Sequence, residues 1–244
     1  SISQSLVGSL TGHDGAISSL AFDPRDGNLL ASGSTDHTIL LWDIQHRQPL
    51  GPAIAGHKDR VNVLTFSPNA QILASGGGED DPTIRLWDVK SHSLIGEPLL
   101  GHANHIRSLS FSADGQNLAS GGGDGAIYIW DVATRQKKYA YYAAPGESGP
   151  DVVAFSPTIT RSLISGSLVE PNPTIWNLDP ILWKPAPAAW QDSSRWESFS
   201  ISRGYLYNET RSPIVYINFS PDGRTLAAIN TEGKIILWDT QSKY

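Results

Sequence analysis

The chain has 244 residues, 39% of them hydrophobic and 17% charged, with a formal net charge of −6. That length holds one large all-β domain or two ordinary ones, and the acidic balance argues against a nucleic-acid partner, which needs clustered Lys and Arg. With no Cys, disulfides, thiolate chemistry and Cys-ligated zinc are excluded; no apolar run approaches the ~18 residues of a membrane span, so no membrane partner is expected. No signal peptide opens the chain, and there is no Met, so Ser1 reads as the start of a processed product or of a piece of something longer.

In chain order, Ser5-Leu-Val-Gly8 closely matches Ser93-Leu-Ile-Gly96, so residues 3–11 are expected to form an outer strand of a sheet whose other strands lie elsewhere. Strands follow at Ala16–Phe22, Leu29–Ser32 and Thr38–Trp42, with turn chemistry at Pro24-Arg-Asp-Gly27 and an outer strand at Leu50–Ala55. A second unit repeats this from Val61 to Leu100, with a turn at Gly76–Pro82 that is two residues longer. The third runs from Ile106 to Trp130, then through an outer stretch with Tyr139, Tyr141 and Tyr142; its basic cluster, Arg135, Lys137 and Lys138, reads as a solvated turn. The fourth spans Val152–Trp176, and the fifth, Ile214–Asp239, lacks an outer strand. Residues 177–210 break the period, with Trp183, Trp190, Trp196 and three prolines. Aromatic residues at this density do not suit a flexible linker. Either a loop or extra strand packed on a rim, or a partner-binding protrusion, is expected there.

Three motifs carry the repeat. The stretch Ser32-Gly-Ser-Thr-Asp-His-Thr-Ile-Leu-Leu-Trp-Asp43 has counterparts ending in Trp87-Asp88, Trp130-Asp131 and Trp238-Asp239, and a weaker one at Trp176-Asn177. The five Trp residues are separated by 45, 43, 46 and 62 positions. Phe22-Asp-Pro, Phe66-Ser-Pro, Phe111-Ser-Ala, Phe155-Ser-Pro and Phe219-Ser-Pro occur once per unit. Gly12-His13, Gly56-His57 and Gly101-His102 place each His nine positions before its Phe, while in unit four Gly146 takes the His position. A period in the low-to-mid forties at fixed motifs marks a repeat architecture.

On these residues the chain resembles the WD40 repeat family over nearly its whole length. The resemblance implies an all-β fold, a WD40 β-propeller of four-stranded blades over residues 1–244. The repeats are 12–55, 56–100, 101–145, 146–210 with its insert at 177–210, and 211–244 plus 3–11. It implies closure of the ring, with the N-terminal strand pairing beside the strand that ends at Trp238, since an open radial array exposes a strand edge. The alternative is a sector of a larger propeller of about seven blades.

Each well-formed unit holds His, Ser, Asp and Trp. The sets are His13, Ser32, Asp36 and Trp42; His57, Ser75, Asp81 (or Asp80) and Trp87; and His102, Ser120, Asp124 and Trp130. A buried indole N–H needs an acceptor, and a Trp–Ser–His–Asp chain supplies one; the resemblance implies the same structural tetrad. Recurrence in successive units argues against a Ser–His–Asp catalytic triad, which needs one pocket and one oxyanion hole. One His per blade is too widely spread to share a metal ion, and the Gly76–Gly78 and Gly121–Gly123 runs lack the Lys and helix of a phosphate loop. No catalytic residue, metal or cofactor is therefore expected. In unit five Thr210, Ala228 and Glu232 take the His, Ser and Asp positions, so that network is not expected to form, and units four and five are expected to be the less rigid sector.

In this family partners meet one broad face of the disc. Mapped by spacing to each Phe, that face holds Ala16, Ser18, Arg60, Asn62, His105, Arg107, Gly149, Asp151, Pro213 and Val215, with turn positions Thr35, Asp80, Gly123, Val169 and Thr231. The group Arg60, Asn62, His105 and Arg107 is the most distinctive, and it suits an acidic or phosphorylated peptide. The expected function is a non-catalytic protein–protein interaction scaffold or sensor in the cytoplasm. The repeats are similar to those of bacterial multidomain signalling proteins, with other domains fused upstream. Two alternatives stand beside it. A structural subunit would place its largest apolar patch on the rim near Trp183, Trp190 and Trp196. An enzyme or ligand-binding propeller would build a site at the channel mouth from Glu147, Asp151 and His105.

Overall fold

The computed structural model describes residues 8–142, 152–158, 162–167, 173–177, 203–205 and 212–240. Among the described residues twenty strands form five antiparallel sheets, each a blade of the expected all-β type. Blade one contains β1 (Ile17–Phe22), β2 (Leu29–Ser34), β3 (Thr38–Asp43), β4 (Gln48–Pro49) and β5 (Ile54–Ala55). Blade two contains β6 (Val61–Phe66), β7 (Ile72–Gly77), β8 (Ile84–Asp88) and β9 (Ser93–Leu94). Blade three contains β10 (Ile106–Phe111), β11 (Asn117–Gly122), β12 (Ala126–Asp131) and β13 (Lys137–Tyr142). Blade four contains β14 (Val152–Phe155), β15 (Ser162–Gly166), β16 (Thr174–Asn177) and β17 (Arg203–Tyr205). Blade five contains β18 (Ile214–Phe219), β19 (Thr225–Asn230) and β20 (Ile235–Asp239), a three-stranded sheet among the described residues.

Two expected outer strands take a different form. The single strand expected at Leu50–Ala55 is two short strands, β4 and β5, both paired to β3. Gly51, at φ 76°, turns the chain out of the ladder, and Pro52 has no N–H to donate. In blade four the outer strand, β17, comes from within the 177–210 insert, with Thr174 opposite Tyr205 and Trp176 opposite Arg203. Trp183, Trp190 and Trp196 lie outside the described residues, as do Leu6 and the proposed closing strand up to residue 7. Lys137 and Lys138 belong to β13 rather than to a turn; only Arg135 precedes the strand.

The first strands of successive sheets pack in a row, β1 on β6, β6 on β10, β10 on β14 and β14 on β18. Each junction buries the same two faces. Ala31, Ile39 and Leu41 of blade one meet Val61, Leu64, Phe66, Leu73 and Trp87 of blade two. Ala74, Ile84 and Leu86 of blade two meet Ile106, Leu109, Phe111, Leu118 and Trp130 of blade three. Close approach depends on a glycine. A Cβ on Gly33 would lie 2.7 Å from the Val61 side chain, and one on Gly76 would lie 2.6 Å from that of Ile106.

The outermost faces lack this cover. Ile17, Leu20 and Phe22 of blade one are 50%, 61% and 59% exposed, although their counterparts Val61, Leu64 and Phe66 are buried. At the other end Ile235 and Leu237 are 70% and 64% exposed, where Ile39 and Leu41 are buried.

A bulge recurs at the start of the first strand. The register shifts between Ile17 and Ser19, Val61 and Val63, Ile106 and Ser108, and Ile214 and Tyr216. Ser18, Asn62, Arg107 and Val215 are therefore the inserted residues, outside the register of the ladder.

Candidate functional site

The first three blades each bring their four motif residues into one hydrogen-bonded chain. In blade one the Trp42 indole N–H donates to Ser32 Oγ (2.7 Å), Ser32 Oγ lies 2.8 Å from His13 Nε2, and His13 Nδ1 lies 2.8 Å from Asp36. Blade two repeats it with Trp87 to Ser75 (2.8 Å), Ser75 to His57 (2.7 Å) and His57 to Asp81 (2.7 Å). In blade three the distances are 2.9 Å for Trp130 to Ser120, 2.8 Å for Ser120 to His102 and 2.9 Å for His102 to Asp124. Ser Oγ accepts from the indole and gives its one proton to Nε2, so Nδ1–H donates to the carboxylate. The Gly before the His has a steric cause: a Cβ on Gly12 or Gly56 would lie 3.0 or 2.8 Å from the Trp ring, and one on Gly101 would lie 2.6 Å from Lys137 Nζ and 3.2 Å from the Tyr128 ring.

The carboxylates are the electrostatic anchors. Burial pushes Asp36 up, but hydrogen bonds from Thr38, His13 and the Asp14 amide more than reverse it and hold it well below 3.8. Asp81 is likewise raised by burial and lowered further by His57, the Lys58 amide and Thr83. Asp124 follows the same balance, with His102 and the Ala103 amide lowering it. Ser32, Ser75 and Ser120 are buried beneath the Trp rings, with no open approach for a substrate carbonyl.

Blade four retains half of this chain: Trp176 donates to Ser165 Oγ at 2.8 Å, a pairing the loss of Gly-His had hidden in the sequence. Blade five has Ala228 at the Ser position, buried, and Glu232 hydrogen-bonds Ser212 instead. Arg85 is a residue that the motifs did not single out. It is buried at the register of Leu40 and Tyr128, with its Nη2 3.6 Å from Asp81.

On the broad face the start of the first strand and the turn before the Asp adjoin. Thr35 N bonds Ala16 O, Gly123 N bonds His105 O and Thr231 N bonds Pro213 O, at 2.9, 2.9 and 3.0 Å. Two bulge residues reach across the junction to the next blade. Ser18 Oγ donates to Val61 O, and Asn62 Nδ2 donates to Ile106 O at 3.3 Å. Asn62 thus helps to join blades two and three.

Arg107 Nε–H instead donates to His105 Nε2 at 2.8 Å, while His105 Nδ1 lies 2.6 Å from Asn104 Oδ1 and 3.6 Å from Glu79 of blade two. Beside this group, Asp59 accepts the Arg60 and Asp80 amides at 2.7 and 3.1 Å. Burial raises Asp59, and those amides with the Arg60 charge bring it below its ordinary value. The Arg60 residue itself is exposed. The sequence reading missed Asp59, Glu79 and Asn104, whose only signal was adjacency to the mapped positions. Asp151, Glu147, Gly149 and Val169 lie outside the described residues. Among the described residues no group of three His, Asp or Glu side chains could hold a metal, and no helix is long and apolar enough to cross a membrane.

The family model of the WD domain, G-beta repeat, matches residues 4–43, 50–88 and 93–131. This chain carries WD40 repeats. The matches cover the three blades that hold complete tetrads; the units ending at Trp176 and Trp238 lie beyond them.

Over 73 residues the chain is 41% identical to Polycomb protein esc of Musca domestica, covering 29% of this chain and 17% of that protein. It is 42% identical over 66 residues to Coronin-7 of Homo sapiens, covering 27% of this chain and 7% of that protein. It is 38% identical over 78 residues to nuclear distribution protein PAC1 of Coccidioides posadasii, covering 29% of this chain and 16% of that protein. The matched WD40 stretch thus spans less than a fifth of each of these relatives, all of them eukaryotic. The expected likeness to bacterial multidomain signalling proteins has no support among them.

Proposed function

We propose that this chain is a non-catalytic WD40 platform, working in the cytoplasm within a larger protein, that holds a segment of another protein against the face over blades two and three. The segment is acidic or phosphorylated, and Arg60 and Arg107 are the groups that pair with it. The observation that carries this reading is the Arg107 guanidinium held by His105, together with the exposure of Arg60 on the neighbouring blade. Arg107 is oriented through His105, and the backbone that bears Arg60 is fixed by Asp59. A pre-positioned Arg loses less freedom on pairing with a carboxylate or phosphate than a free one does. Glu79, Asp59 and Asp80 ring the same face, so the ligand must place its charge on the Arg groups and keep it from the surrounding carboxylates.

The test is fluorescence anisotropy with three labelled peptides of one backbone, carrying glutamates, phosphoserines or lysines. The first two are expected to bind and the third is not. Arg60→Ala and Arg107→Ala are each expected to weaken binding about tenfold or more, from the ~1.5–3 kcal/mol of a charge-assisted hydrogen bond. Equal binding of all three peptides, or indifference to both substitutions, overturns the proposal.

A further inference from the structure

In blades one to three the turn from the third strand to the outer strand holds a basic residue in the left-handed backbone region. Arg47, His92 and Arg135 sit at the same position after Trp42, Trp87 and Trp130, at φ 55°, 58° and 58°. Glycine adopts that region freely, whereas a residue with a Cβ is strained there. Other turns of this chain favour glycine for it. Between the first and second strands, Gly115 and Gly223 take it at φ 69° and 67°, against one Ala70. Between the second and third, Gly125 and Gly233 take it at 73° and 75°, against one His37.

The three basic side chains are seated against the blade before. A Cβ on Gly8, Gly51 or Gly96 would lie 3.1, 2.9 or 2.5 Å from the side chain of Arg47, His92 or Arg135. Gly51 and Gly96 follow Arg47 and His92 by four residues, a reach of at most about 14 Å, so the three positions form one row with steps within roughly 20 Å. The row lies at the strand ends away from Thr35, Asp80 and Gly123, and so opposite the face of Arg60 and Arg107.

The carboxylates of these turns are already engaged. Asp43 bonds the His46 amide and ring, Asp88 the Ser91 amide and hydroxyl, and Asp131 both Thr134 and Lys138. Arg47 and Arg135 are exposed, and neither forms an ion pair among the described residues. A strained position that stays basic in every copy points to a use outside the fold.

We propose that Arg47, His92 and Arg135 are a second binding surface, for an extended acidic tract of another polypeptide that runs across blades one to three and sets carboxylates on the row. One basic group per blade matches spaced carboxylates. A nucleic-acid backbone or an anionic bilayer needs a denser basic field than a chain of net charge −6 presents. This surface stands independently of the Arg60 and Arg107 reading.

The experiment is fluorescence anisotropy with a labelled tract of about twelve glutamates, roughly 40 Å when extended. The 244-residue chain carries Arg60→Ala and Arg107→Ala throughout, so the opposite face does not contribute. The tract is expected to bind, and Arg47→Gly with Arg135→Gly is expected to weaken it at least tenfold while raising the urea midpoint, because glycine relieves both turns. Arg47→Gln with Arg135→Gln removes the charge and keeps the side-chain length. It gives a second reading should the glycine pair fail to fold, and is expected to lose binding with an unchanged midpoint. Absence of binding, indifference to the glutamine pair, or equal binding of an oligothymidylate of the same length overturns the proposal. A lower midpoint for the glycine pair overturns it too, since the basic residues would then be held for packing.

Discussion

At the scale of single residues, Ser75 is the central link of its tetrad, accepting from the Trp87 indole N–H and meeting His57 at 2.7 Å. Ser75→Ala would leave two buried polar groups without that partner, a cost of about 2–4 kcal/mol, read as a lower urea midpoint with unchanged slope. The tetrad carboxylates also set an acid limit. Asp36, Asp81 and Asp124 lie below 3.8 in the folded protein, so the stability they contribute is complete above that value. It is lost as the pH falls below 3.8 through their depressed folded values. The urea midpoint is expected to drop across that window, and Asp81→Asn to flatten part of the drop while lowering stability at neutral pH. Most of this was legible beforehand, because a motif repeated in register names its own partners. Asp80 and Asp81 could not be told apart in Gly78-Glu-Asp-Asp-Pro82, since only the path of the longer turn decides which carboxylate meets His57.

At the scale of the strand, the first strand of each blade hid a feature that its sequence did carry. Apolar residues of the inter-blade face fall at Ile17 and Leu20, Val61 and Leu64, Ile106 and Leu109, and Ile214 and Ile217, three apart where an unbroken strand repeats every two. That spacing is the signature of the bulge, and reading the segments as plain alternation missed it. The second strands are governed by inter-blade approach. Gly76→Ala would set a Cβ 2.6 Å from Ile106 and is expected to cost about 1–3 kcal/mol of overpacking. Gly27→Ala, with nothing within 4 Å, is expected to be near neutral, and the pair separates packing from backbone effects in one denaturation series. The outer strands were least legible, because they are short, exposed and held by few neighbours; β17 lies 26 residues beyond β16, at a distance no period announces.

At the scale of the whole molecule, the sequence named the blade type, and left open what lies beside the first and last blades. That relation depends on faces meeting across the fold, and a period along the chain does not encode it. Among the described residues β20 is paired on one side only, to β19, whereas β12 is paired on both. Hydrogen exchange is expected to deprotect the amides of Ile235–Trp238 well before those of Ile127–Trp130, and equal protection would show that β20 gains a second neighbour in solution. The bulge has a wider consequence. Its inserted residue is Ser, Asn, Arg or Val in four blades whose ladders are otherwise alike, so the ladder itself does not dictate that side chain, even where Ser18 and Asn62 use theirs to bond the next blade. On the face proposed to bind a partner, the inserted residue can therefore differ from blade to blade over one constant ladder, so two chains with superimposable backbones need present no common surface there.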